Sequence, residues 1–197
     1  EILENTRVFH VGSLSLTDDP SRTATYEAIN IARNSGAVIS YDPNYRAALW
    51  SDPETAQLRM QSLIPYVDMM KISDEETSLL TPYQDPEEAI QYLLRQGVHL
   101  VAVTLGRDGA LIGNENGIVK AEGFSSHAVD TTGAGDSFWG GFLASYLQEE
   151  TSPEHLTRAQ MIQFGRVGNA VASLCVERRG GISAIPEMEE IEERLRG

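Results

Sequence analysis

The chain has 197 residues, 41% of them hydrophobic and 22% charged, which is enough apolar material for a buried core, so disorder is not the default. Lys and Arg total 15 and Asp and Glu total 29, so the net charge is 15 − 29 = −14 with His neutral. That balance excludes the basic face that nucleic acid demands and binding to an anionic membrane surface, but not an anionic ligand held by a few donors in a pocket.

Cys175 is the only cysteine, which excludes an internal disulfide and a Cys-based zinc site and suits a reducing, cytoplasmic setting. It lies in an apolar helical stretch with Val171, Ala172 and Leu174, where a packed thiol is the expectation. No apolar run reaches membrane-spanning length, and Glu1-Ile2-Leu3-Glu4-Asn5 does not read as a signal peptide. His10, His99, His127 and His155 are scattered without metal-ligand spacing.

In chain order, Val8 to Val11 predicts a short strand ending at Gly12. A helix follows over Ser21–Asn34, with Ala24, Ala28, Ile31 and Ala32 at helical spacing and Gly36 stopping it. Ala37 to Tyr41 is a continuous apolar strand of the kind buried on both faces of a parallel sheet. Pro53 sits in the first turn of a helix running to Ile64. Val67–Ile72 is the next strand, Pro86–Gln96 the next helix, stopped by Gly97, and Val98–Thr104 the strongest strand. This βαβαβ pattern predicts a parallel sheet with crossover helices. After Gly106 the pattern changes to a hairpin, Ala110–Gly113 and Gly117–Ala121, with a polar turn at Asn114 to Asn116. Two helices follow, Ala134–Gln148 with Phe138, Phe142, Leu143, Tyr146 and Leu147 on one face, and Thr157–Val176. A short acidic helix after Pro186 closes the chain, and the charge run Glu187 to Glu193 reads as its solvated face.

One stretch stands apart: Asp130-Thr131-Thr132-Gly133-Ala134-Gly135-Asp136, immediately before an amphipathic helix. Small residues let backbone N–H groups approach a ligand, and the helix start adds unpaired donors and a positive dipole end, which together suit a phosphate. A plain tight turn explains the same composition, and Asp136 also fits a simple helix-start acid. The spacing matches neither the dinucleotide fingerprint nor a P-loop. A dinucleotide-binding oxidoreductase domain is therefore disfavoured.

The stretch Asp130 to Asp136, followed by Ser137-Phe138-Trp139-Gly140-Gly141-Phe142, resembles the C-terminal signature of the ribokinase-like (PfkB) carbohydrate kinases. Three further blocks resemble the family in its order: Asp42-Pro43-Asn44-Tyr45-Arg46 with Leu49-Trp50, Lys71-Ile72-Ser73-Asp74-Glu75-Glu76, and Thr104-Leu105-Gly106 with Gly109-Ala110. The opening Phe9 to Leu16 resembles the fructokinase branch. The resemblance implies an α/β fold of three layers, α/β/α, with a mostly parallel sheet. It implies ATP-dependent phosphorylation of a sugar hydroxyl, fructose first, another sugar, a sugar acid or a nucleoside being the alternative. ATP and Mg²⁺ are the implied cofactors, with K⁺ as a further expectation, and sugar and ATP are the implied partners.

By the same resemblance Asp136 is the base that takes the proton of the sugar hydroxyl, and the backbone N–H groups of Gly133, Ala134, Gly135 and Asp136 are the anion hole for the γ-phosphoryl. Glu76 matches the Glu of the family's Asn-x-x-Glu motif, which places Mg²⁺ and phosphate through water, with Ser73 where the family most often has Asn. Ser73-x-x-Glu76 is equally a capping box for a helix over Asp74 to Leu80. Lys71 at a strand end reaches phosphate or is a surface lysine. Arg46 binds phosphate or substrate, or forms a salt bridge with Asp42 or another local acid. Thr104, Gly106 and Gly109 line the nucleotide or form a strand–turn–strand connection, and Asn169 flanks the adenine or is a buried amide bonded to backbone. The backbone of Asp130 to Thr132 and the Arg178 to Ser183 loop resemble a monovalent-cation site.

The family's N-terminal sugar-binding portion and β lid are not recognisable here. Residues 1–197 are therefore expected to form a single domain, the C-terminal part of a PfkB-type kinase, from a longer protein or a truncated reading frame. Such a chain is not expected to turn over sugar by itself, and a non-catalytic nucleotide-binding module is the rival from another class. A homodimer is an expectation for the complete protein only.

Overall fold

The computed structural model describes residues 2–197, and Glu1 lies outside the described residues. Two compact units are present, one ending at Ala102 and one spanning Val103–Gly197.

In the first unit β1 (Val8–Gly12), β2 (Val38–Asp42) and β3 (Met69–Ser73) are parallel neighbours, with Val8 opposite Val38, Gly12 opposite Asp42 and Ser40 opposite Met69. β4 (Leu100–Thr104) follows β3 and carries the chain over the boundary. Helices α1 (Ser21–Asn34), α2 (Pro53–Ser62), α3 (Thr77–Leu80) and α4 (Pro86–Arg95) connect these strands. Ile39, Ser40, Tyr41 and Asp42 of β2 are all buried, as the continuous apolar run requires of a strand covered on both faces. Asp52 and Asp85 cap α2 and α4 by accepting the N–H groups of Thr55 and Glu88, with Pro at the first helical position of each.

Three expectations shift. The helix starting at Pro53 ends at Ser62 instead of Ile64, because Pro65 cannot continue it and the chain takes a 3₁₀ turn over Ile64–Tyr66. The strand expected from Val67 begins at Met69: Val67 closes that turn on the Ile64 carbonyl, and the Asp68 carboxylate accepts the Ile39 N–H at 2.7 Å. In α1 the buried face is Thr25, Ile29 and Ala32, while Ala24 and Ile31 are exposed. The two stripes are adjacent on the helix, and the polar Thr25 is tolerated inside because its hydroxyl reaches the Ser21 carbonyl and Ser15 Oγ, both at 2.8 Å.

The second unit holds the antiparallel hairpin β5 (Ala110–Asn114) and β6 (Gly117–Ala121), then α5 (Ala134–Tyr146), α6 (Arg158–Cys175) and α7 (Met188–Arg196). Phe138, Phe142 and Tyr146 of α5 are buried as the pattern requires, but Leu143 and Leu147 are only half-buried and Trp139 takes the inner place. Its ring stacks on Phe142 at 5.0 Å, and Phe142 meets Phe164 of α6 edge-on at 5.7 Å. Cys175 is buried in α6, as expected of a packed thiol.

Helices α5 and α6 approach so closely that side chains are excluded where they cross. A Cβ on Gly168 would stand 2.6 Å from the Phe138 carbonyl oxygen, and one on Gly141 would stand 2.9 Å from Val171 and 3.1 Å from Gly168 Cα. Gly140, one residue along the same helix, has nothing within 4 Å of its Cβ position. Gly168→Ala is therefore expected to destabilise by about 1–3 kcal/mol through overpacking, and Gly140→Ala to stabilise by up to about 1 kcal/mol through helix propensity. Denaturant unfolding of both variants checks the pair, and equal effects would contradict the close crossing.

Candidate active site

The site residues fall into two groups, one in each unit. In the second unit the segment before α5 belongs to no helix or strand, and the chain turns at Gly133, whose φ of 78° is left-handed and which is the helix N-cap. Ala134 N–H bonds the Thr131 carbonyl at 3.2 Å, and no side chain caps the helix start. The N–H groups of Gly133, Gly135 and Asp136 are thus the donors that point out of this end, and Ala134 is partly withdrawn from the expected set. Asp136 is exposed in the first helical turn.

The turn is fixed from behind by Asp130. Its Oδ1 accepts the Thr132 N–H at 2.9 Å, and its Oδ2 accepts the Gly180 N–H at 3.0 Å. The backbone of the two loops is then so close that a Cβ on Gly133 would lie 3.2 Å from Gly181 Cα. Cys175 Sγ donates to the Thr132 carbonyl at 3.8 Å. These bonds hold Asp130 in its charged form and bring its pKa down from 3.8 to about 2, the Gly180 N–H being the largest cause and the Thr132 N–H the next. Gly180 and Gly181 thus shape the turn before α5 itself. The glycine pair in the sequence was the available signal, read there only for a cation.

Two expected nucleotide-side residues meet at the end of β6. The Asn169 amide donates to the carbonyls of Ala121 at 2.9 Å and Glu122 at 3.1 Å, which is the buried-amide reading of that residue. Gly109, with φ 91°, sits against the same stretch, where a Cβ would fall 2.1 Å from the Ala121 oxygen. Gly106 and Gly109 close the turn after Thr104, with Leu105 N–H on the Gly109 carbonyl at 2.8 Å, so the connecting role of this segment is plain.

In the first unit, the ends of β2 and β3 carry the other group. Lys71 is 6% exposed and gives one donor to Asp42 Oδ2 at 3.0 Å, so it is no surface lysine. Asp42 Oδ1 accepts the Asn44 N–H at 3.0 Å. Because Asp42 faces Lys71, the alternative Arg46–Asp42 pair does not form: Arg46 is exposed and its Nη1 reaches the Tyr45 carbonyl at 3.0 Å. The Ser73–Glu76 capping box is present: Glu76 Oε2 accepts the Ser73 N–H at 2.9 Å and hydroxyl at 3.0 Å. Glu76 Oε1 accepts the Tyr45 N–H at 2.9 Å, a contact that no sequence pattern announced. Among the described residues no group of three or more His, Cys, Asp or Glu is placed to hold a metal ion, and no helix is long and apolar enough to cross a membrane.

The family described as pfkB family carbohydrate kinase matches residues 1–188. Among curated proteins, the chain is 35% identical to a probable fructokinase-4 of Arabidopsis thaliana over 100% of this chain and 60% of that protein. It is 33% identical to fructokinase-2 of Solanum lycopersicum, again over 100% of this chain and 60% of the relative. Among solved structures, fructokinase from Vibrio cholerae O395 in fructose, ADP and calcium ion bound form superposes with a TM-score of 0.88 at 32% identity, covering 95% of this chain and 60% of that one. Fructokinase with bound ATP from Xylella fastidiosa does so at 0.89 and 26% identity, over 99% and 63%. The chain thus spans about 60% of the length of these relatives. The likenesses show the fold class expected from sequence, a ribokinase-like three-layer α/β/α with a six-stranded, mostly parallel sheet.

The Asp130 clamp has a pH signature. A carboxyl whose pKa is depressed by folding adds stability above its unfolded value near 4 and loses it as pH falls towards 2. Asp130→Asn is therefore expected to melt below the wild type at pH 7, with the gap closing between about pH 4 and pH 2. Melting temperatures across that range check this, and a gap independent of pH would contradict it.

Proposed function

The chain belongs to the pfkB family of carbohydrate kinases, and from that premise we propose that the whole protein transfers the γ-phosphoryl group of ATP to a hydroxyl of a small sugar, fructose being the substrate. The fructokinase relatives and the fructose and ADP of the Vibrio cholerae structure support this reading. The observation within the chain that carries it is the start of α5: a left-handed Gly133, first-turn donors that no side chain caps, and Asp136 exposed beside them. Phosphoryl transfer through a loose transition state asks chiefly for alignment and charge stabilisation. The N–H groups of Gly133, Gly135 and Asp136 would stabilise the equatorial oxygens of the transferring group, and the Asp136 carboxylate would accept the hydroxyl proton.

Lys71, with one of its three donors on Asp42, and the exposed Arg46 would supply positive charge to phosphate or substrate. Thr104, Gly106, Gly109 and Asn169 would frame the nucleotide side as the walls of the β6 end, more by holding backbone than by offering side chains. The donor set fits Mg²⁺ only as an ion brought in with nucleotide. Mg²⁺ keeps several waters and takes one or two carboxylates besides phosphate, and three donors already occupy Glu76, leaving room for a contact through water. Bound there, the ion would neutralise phosphate charge. K⁺ would take the backbone carbonyls of Asp130 and Thr132. The single buried Cys175 accords with work in the cytoplasm.

Removing a general base costs on the order of 10² to 10⁴ in rate. In the whole protein, Asp136→Asn should lower kcat for fructose-dependent ADP release by about that factor, with Mg-ATP affinity nearly unchanged. Its melting temperature should move little, since Asn is tolerated at a helix start. Turnover, nucleotide affinity and melting on one preparation check this. Intact turnover with a lowered melting temperature would make Asp136 a helix-start acid and nothing more.

A further inference from the structure

We propose that Glu76 is a positioning residue: its carboxylate locks the loop after β2 in the shape that presents Arg46, in addition to capping the helix it begins. This rests on the substrate- or phosphate-binding role proposed for Arg46.

A capping box needs one acceptor on the acid, and Oε2 meets that need by itself with the Ser73 N–H and hydroxyl. The second oxygen is spent elsewhere, on the N–H of Tyr45, 31 residues away and next to Arg46. The loop it reaches is pinned at successive peptides. The Pro43 carbonyl accepts from the Ser13 N–H at 3.3 Å and from the Ser13 hydroxyl. The Asn44 N–H lies on Asp42, whose other oxygen faces Lys71. The Arg46 carbonyl takes the Leu49 N–H at 2.9 Å. Asn44 is held at φ 49°, the one non-glycine residue of left-handed backbone among those described. Such a conformation is costly and persists only where its surroundings over-determine it. Two of these anchors are carboxylates, Asp42 from β2 itself and Glu76, which reaches in from the end of β3, and hydrogen bonds to a carboxylate are the stronger kind.

Three donors converge on the two Glu76 oxygens, so the chemistry asks for a carboxylate. A glutamine would turn its NH₂ towards Ser73 or towards the Tyr45 N–H, and one of the two attachments would face donor to donor.

Amide hydrogen exchange on the ligand-free chain in metal-free buffer separates the loop from the cap, and removes any part played by Mg²⁺. In Glu76→Ala and in the near-isosteric Glu76→Gln, exchange over residues 44–50 is expected to rise about tenfold or more. Ser73→Ala should raise exchange over 73–80 alone. Unchanged exchange over 44–50 in a folded Glu76→Gln or Glu76→Ala chain would overturn the proposal. In the whole protein, Glu76→Gln added to Arg46→Ala should cost less kcat/KM for the sugar than the two single losses combined, since the part that Glu76 exerts through Arg46 is already gone. Full additivity would likewise overturn it. An Arg46→Ala enzyme of wild-type activity would sink the role assigned to Arg46, and is told apart because the exchange result needs neither ligand nor turnover.

Discussion

One carboxylate, that of Asp130, joins two loops 50 residues apart in sequence by accepting a backbone N–H from each. The turn before α5 depends on this contact more than on any side chain within it. Gly133 turns left-handed, where a side chain is strained, and a Cβ there would crowd Gly181 Cα at 3.2 Å. With the loops clamped, the donors at the start of α5 face outward without a capping residue. An anion site made of backbone needs this kind of support, because N–H groups have no rotamers and can be aimed only by fixing the chain that carries them.

The first unit uses the same device at the ends of β2 and β3. Glu76 bonds the backbone of Tyr45 and of Ser73. Asp42 and Lys71 form a buried ion pair whose carboxylate is further engaged by Asn44. An isolated charge buried to this depth would be costly, and the geometry avoids that by giving each charged group a partner. The strand ends hold the loops, and Arg46 alone of this group stands exposed.

Packing beneath the second unit's site serves it indirectly. The contact of Gly141 with Gly168 lets α5 lie close on α6, while Trp139, Phe142 and Phe164 fill the space on either side of the crossing. Gly165 presses on Ile112 and Ala121 of the hairpin, and Asn169 of the same helix bonds the end of β6. A single helix face thus fixes both the start of α5 and the turn at Gly109.

Much of this molecule was written in local pattern. The alternation of strands and helices, the glycine stops at Gly36 and Gly97, the hairpin, the capping box at Ser73 and the glycine-rich turn before α5 were all legible, because each depends on residues within a few positions of one another. The choice between paired readings was not. Lys71 became a buried partner of Asp42 instead of a surface lysine, Arg46 was left without that acid, and Asn169 bonded the end of β6. On α1 the stripe of Thr25, Ile29 and Ala32 turned inward although Ile31 sat in the neighbouring one. The second oxygen of Glu76 found Tyr45, and that of Asp130 found Gly180. Each of these side-chain pairings joins residues some 29 to 50 positions apart. Sequence determined which groups were available and which backbone shapes they could adopt. Strand register and the close approach of loops, which no local period encodes, decided which of those groups met.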